Sequence, residues 1–219
     1  TRVLPEVTIS ELTPRKRRFF LKHLARFLLL FESVKAKGSF LDNKRVIVTA
    51  APHQSGKDEY LMILMILALD IDVCYLSAKW TMRRIPIPFV KPKDIDNQGI
   101  PWPLGWLQEI VFRKFGAIPV DRKGNSGQYD SVVQELLKRD NFLLIITPEG
   151  RFDATRFRSS FLYLAKELDA SVMPVQIDYE HDSLQFLESL NLDGSEEEVI
   201  QRLRFCFDGI KGRKSRFKA

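Results

Sequence analysis

Cysteine is scarce: Cys74 and Cys206 are the only two in 219 residues, too few for a disulfide framework. Neither belongs to a C-x-x-C pair or to a His/Cys cluster at zinc spacing, so no metal or resident cofactor is expected. A reducing, cytoplasmic setting follows as the default. Long apolar runs are missing too. The longest, Leu61 to Leu69, is about half of the ~20 residues a membrane-spanning helix needs. The basic-apolar-small order of a secretory signal is absent, although a chain opening on Thr1 leaves an upstream segment open. There is no internal repeat, and 45% hydrophobic with 28% charged residues is the composition of a folded domain, not of a disordered chain.

What the chain has in excess is positive charge: Lys+Arg 34 against Asp+Glu 28, a net +6. That balance asks for an acidic partner, and nucleic acid, anionic lipid or a phosphorylated small molecule all qualify. No nucleic-acid recognition motif and no aromatic-basic strand pattern accompanies the charge, so nucleic acid is not expected. Near the front, Phe20, Leu24, Phe27, Leu28 and Phe31 recur at helical spacing. Arg15, Arg18, Lys22 and Arg26 occupy the other face. This is the pattern of a helix lying in an anionic membrane interface; packing of the stripe on the core is the alternative. Residues 1–37 are therefore read as an N-terminal amphipathic helical segment and 38–219 as the main domain.

Beyond Gly38, β-rich runs at Arg45–Thr49, Asp72–Leu76, Ala117–Val120, Phe142–Thr147 and Val172–Ile177 alternate with helical patterns near 58–69, 103–115, 127–139 and 157–168. Glu196–Glu198 opens a final helix, followed by a basic tail from Lys211. Alternation of this kind predicts an α/β domain with a largely parallel buried sheet flanked by helices. Ligands of such sheets gather at the carboxyl ends of strands. Between Ile85 and Pro103 five prolines exclude helix or central-strand interior, which predicts a long surface loop of the kind that serves as a lid or binding wall.

Three strand ends carry charged residues. The first reads Ala51-Pro-His-Gln-Ser-Gly-Lys-Asp58. A phosphate-loop reading fails, because Ala51 stands where that motif needs Gly and Asp58 where it needs Ser or Thr. Ser55-x-x-Asp58 is instead a capping-box pattern that starts a helix and leaves His53 just outside its first turn. Asp58 can then accept from one imidazole nitrogen while the other acts as a base; the plainer alternative is a helix cap beside a loop histidine. The second end runs from Gly116 to Arg122, whose planar guanidinium matches phosphate oxygens. The third is Ile146-Thr-Pro-Glu149-Gly150, followed by Arg151. Together they fit proton abstraction near a phosphate.

These residues resemble the glycerophospholipid acyltransferase family, which includes lysophosphatidic acid acyltransferases and soluble bacterial relatives. His53 and Asp58 match its His-x4-Asp block, with Ser55, a substrate-binding candidate, also in place, and Gly116–Arg122 match its G-x-I-x-[IV]-D-R block. Pro148-Glu149-Gly150 starts its P-E-G-T-R block and then departs from it, lacking the Thr. Phe157–Phe161 and Val172–Val175 resemble two later blocks in family order. The resemblance implies a glycerolipid acyltransferase-like fold and transfer of a fatty acyl group from acyl-CoA or acyl carrier protein to a hydroxyl of a glycerol phosphate or lysophospholipid. It assigns His53 as base and Asp58 as its orienting partner, with Arg122, Glu149 and Gly150 at the acceptor phosphate. Arg151 stands near the usual family arginine, and Lys79 resembles a basic family position. Separately, the exposed amides at the helix start near Ser55–Lys57 suit a developing oxyanion. The broken third block leaves a non-phosphorylated or amino-lipid acceptor as an alternative, and a catalytically silent lipid-binding protein as another. The expected location is cytoplasmic, peripheral on the inner face of a membrane.

Overall fold

The apolar runs become strands because backbone buried on both faces must be paired within the sheet. The computed structural model describes residues 6–8, 19–32, 34–39, 43–53, 56–85, 100–120, 127–149 and 156–212. Contacts divide the chain into two units: residues to Val73 together with those from Asp140, and Cys74–Arg139.

The first unit contains β1 (Glu6–Thr8), α1 (Phe19–Leu29), β2 (Lys35–Ser39), β3 (Arg45–Ala51) and α2 (Gly56–Ala68). The second contains β4 (Val73–Ala78), a 3-10 turn (Lys79–Met82), β5 (Arg84–Ile85), β6 (Ile100–Pro101), α3 (Gly105–Lys114), β7 (Ala117–Val120) and α4 (Gly127–Leu137). The chain then returns to the first unit with β8 (Phe142–Ile146), α5 (Ser160–Leu168), β9 (Ser171–Asp178), β10 (Ser183–Phe186) and α6 (Glu196–Phe205).

In the first unit the strands run in the order β1-β2-β10-β9-β3-β8. Among the described residues of this unit only β9 and β10 pair antiparallel; the other described pairs there are parallel. β3 lies between β8 and β9, with Thr49 beside both Ile146 and Pro174. In the second unit β4 and β7 pair parallel, and β5 and β6 form a short antiparallel ribbon. The expected class, α/β with a largely parallel sheet flanked by helices, is the observed one. The predicted strands and helices all lie within a residue or a few of observed elements. Residues 86–99 of the proline-rich stretch are outside the described residues.

Local chemistry explains the element ends. Ser195 accepts from the Glu198 N–H at 3.3 Å and donates its own N–H to the Glu198 carboxylate at 2.8 Å, a reciprocal box that starts α6. Gly116 enters β7 at φ 95, a conformation glycine adopts without steric cost. α2 is apolar on almost every side, with Leu61, Met62, Leu64, Met65, Ile66 and Leu67 all buried, as expected of a helix enclosed by protein.

α1 packs on α2, and both readings of its sequence hold in part. Leu24 and Leu28 are half-buried, whereas Phe19, Phe20, Phe27 and Phe31 are exposed. The basic side differs from expectation. Lys22 pairs with Asp70 at 3.1 Å, and the Arg26 guanidinium donates to the Ala68 carbonyl at 3.1 Å. These cations meet the carboxyl end of α2, where unpaired carbonyls favour positive charge. Arg15 and Arg18 lie outside the described residues.

Candidate active site

Three adjacent parallel strands deliver the site. His53 follows β3 by two residues, Glu149 follows β8 by three, and Tyr179 comes directly after β9. Asp58 is reached by the turn back into the first turn of α2, a position where the helix dipole favours a carboxylate. All four are buried: His53 is 5% exposed, Asp58 1%, Glu149 8% and Tyr179 7%.

A buried carboxylate is costly unless hydrogen bonds replace its water. Asp58 has a hydrogen bond and a facing imidazole, from two directions. The Tyr179 hydroxyl donates to Asp58 Oδ1 at 2.5 Å, and Asp58 Oδ2 stands 3.6 Å from His53 Nδ1. That second separation is slightly beyond a hydrogen bond. Catalytic hydrogen bonds are often this long without substrate and shorten when it binds. The Tyr179 backbone is held in turn, its N–H donating to the Lys211 carbonyl at 3.1 Å.

Glu149 meets the same loop from the opposite side: its Oε2 accepts the His53 backbone N–H at 2.6 Å. Burial pushes the Glu149 carboxyl up to about 7 from its ordinary 4.5, against the lowering effect of the His53 N–H and with a further push from the Asp58 charge. The residue behind Glu149 is also tied down, because the Pro148 carbonyl accepts the Arg158 N–H at 2.8 Å. The result is an imidazole on a clamped loop, one carboxylate facing its ring and another gripping its backbone.

Of the residues singled out from sequence, His53, Asp58 and Glu149 come together here. Lys79 is in the other unit, exposed at the start of the 3-10 turn after β4. Ser55, Arg122, Gly150 and Arg151 lie outside the described residues. Tyr179 was missed, although the rule that ligands gather at strand ends applies to the end of Val172–Ile177 as much as to the three inspected. One group of potential metal ligands exists among the described residues, Asp178, Glu180 and His181. It is a surface ion-pair network: His181 bonds Asp178 at 2.6 Å, and Lys211 pairs with Glu180 at 2.9 Å.

Residues 103–178 match the family model for Acyltransferase. The matched segment begins just before α3 and ends with β9, and it includes Glu149. It supports acyl transfer as the general chemistry and an acyltransferase as the class of enzyme. Comparison with curated proteins gives no match. Among the described residues, no helix is long and apolar enough to cross a membrane.

Proposed function

We propose that the protein is an O-acyltransferase that moves a fatty acyl group from a thioester donor, acyl-CoA or acyl carrier protein, to a hydroxyl of a glycerol phosphate or lysophospholipid. The observation that carries this reading is the buried His53–Asp58–Tyr179 arrangement in a chain with an acyltransferase match. His53 Nδ1 faces Asp58, which assigns Nε2 to the acceptor. Nε2 takes the hydroxyl proton as the oxygen attacks the thioester carbonyl; the C–S bond then breaks, and the thiolate leaves with the proton from the imidazolium. Asp58 holds the ring and offsets its positive charge, a role in which general-base catalysis contributes typically 10²–10⁴-fold.

Amides at the start of α2, among them those of Gly56 and Lys57, suit the developing oxyanion. Glu149 fixes the backbone of the His53 loop, and Arg122, Gly150, Arg151, Ser55 and Lys79 are assigned to acceptor binding on the family resemblance. The exposed phenylalanines of α1 support action at a membrane surface by a protein that visits the lipid from one side.

The test is thiol release from acyl-CoA with lysophosphatidic acid as acceptor, wild type against His53→Ala. Equal turnover in the variant would refute the base assignment. A panel including plain-hydroxyl and amino-lipid acceptors, read by product mass, decides between phosphorylated acceptors and the alternatives. Sedimentation with anionic vesicles after changing Phe20 and Phe27 to Ser tests the membrane role; undiminished binding would remove α1 from it.

A further inference from the structure

α1 runs antiparallel to α2 and is fastened to it at both ends. At the carboxyl end of α2, Lys22 and Arg26 hold Asp70 and the Ala68 carbonyl. At the opposite end Glu32, three residues after α1, pairs with Lys57 at 2.7 Å.

The position of Lys57 calls for that partner. It stands in the first turn of α2, where the positive end of the helix dipole disfavours a cation. The Glu32 carboxylate, 18% exposed, offsets this charge. The pair therefore acts on the turn that also holds Asp58, one residue further on, and the amides of Gly56 and Lys57. Without the carboxylate a cation lies against the helix start, and the turn opens more readily.

The other neighbour of Glu32 is aromatic. Phe31 precedes it, and Phe27 meets Phe31 edge-on with ring centroids 5.3 Å apart. Phe27, Leu30 and Phe31 are each at least half exposed, and they belong to the apolar surface that the proposed function brings to lipid. A single ion pair thus stands between that surface and the residue facing the His53 ring. We infer that Glu32 and Lys57 are positioning residues: their pair passes contact of α1 with lipid to the first turn of α2, steadying Asp58 and the neighbouring amides on a membrane. The acceptor class this favours is a lysophospholipid carried in a bilayer, ahead of dissolved glycerol phosphate. The lipid contact and the acceptor rest on the proposed function; the tie between the two helices does not.

The experiment is amide hydrogen exchange of the full chain with and without vesicles of phosphatidylcholine and phosphatidylglycerol. It compares wild type, Glu32→Gln and the reversed pair Glu32→Lys/Lys57→Glu. Tyr60 and Leu61 are the reporters, because helix geometry bonds their N–H groups to the carbonyls of Gly56 and Lys57. In the wild type, vesicles should slow exchange at both. In Glu32→Gln exchange should be about three- to tenfold faster and insensitive to vesicles, although the variant sediments with them no less than wild type. The reversed pair should restore both behaviours. Thiol release from acyl-CoA gives a second readout: the ratio of turnover on vesicle-borne lysophosphatidic acid to turnover on a short-chain, monomeric one should fall in Glu32→Gln, through kcat and not through the KM of the donor. Equal exchange in wild type and Glu32→Gln, an equal response of the two to vesicles, an unchanged turnover ratio, or no rescue by the reversed pair overturns the inference. The exchange measurement needs no acyl transfer, so failure of the proposed reaction, seen as no thiol release by the wild type, is visible separately.

Discussion

The loop around His53 and the ion-pair cluster of Arg83 and Arg113 on the Glu109 carboxylate both gather charge, but they hold it differently. At the first, the polar groups are buried and the carboxyls are held by named donors, as in the 2.5 Å bond from Tyr179 to Asp58. At the second, the Arg83 and Arg113 side chains are 68% and 54% exposed, and water screens what the carboxylate does not. Burial makes a charge expensive to misplace and therefore precise in direction. Exposure leaves it cheap to alter. The contrast separates a buried, directed cluster, the one proposed to perform chemistry, from an exposed ion-pair cluster.

The contrast can be broken at either end. The largest effect is expected at His53, where replacement by Ala should lower turnover by about 10²–10⁴-fold, read as thiol release. A wild-type rate would erase the distinction. Next is Glu149→Gln, read by urea unfolding across pH. The native carboxyl keeps its proton up to about 7 while the ordinary value is 4.5. The stability this proton contributes is therefore complete below pH 4.5 and lost as pH rises through 7. The swing is at most about 3 kcal/mol, and the Gln variant should show a flatter profile over that window. An unchanged slope would move the titration to another group.

Tyr179→Phe should follow. It removes the donor on Asp58 Oδ1, costs about 1–3 kcal/mol, and should lower kcat with KM nearly constant while shifting the pH–rate profile. A loss of stability with an unaltered profile would make the hydroxyl a structural strut only. The smallest effect is expected from Arg113→Gln, whose exposed pairing should change stability by under about 1 kcal/mol. A larger thermal shift would place this cluster in the same class as the buried site.

Much of this was legible in the sequence, because apolar runs buried on both faces leave an unmistakable pattern. β3 and β8 are buried almost throughout and were read within two residues. The His53–Asp58 relation was legible too, since helix-start chemistry places the imidazole before α2. β2, with the sequence KAKGS and a mostly exposed face, gives no such signal; its strand state comes from pairing with β1 and β10. Tyr179 escaped because its role depends on a partner 121 residues away. The basic side of α1 escaped for a related reason: periodicity tells which residues share a face, not what that face meets.

That meeting of α1 and α2 bears on how the chain can be cut. Lys22 and Arg26 latch α1 onto the end of the helix that begins beside His53. A fragment starting at Val34 would strip this cover and open part of α2, which is apolar on almost every side, to water. The aromatic helix thus covers part of the core, and deleting it to gain solubility should produce an aggregating protein.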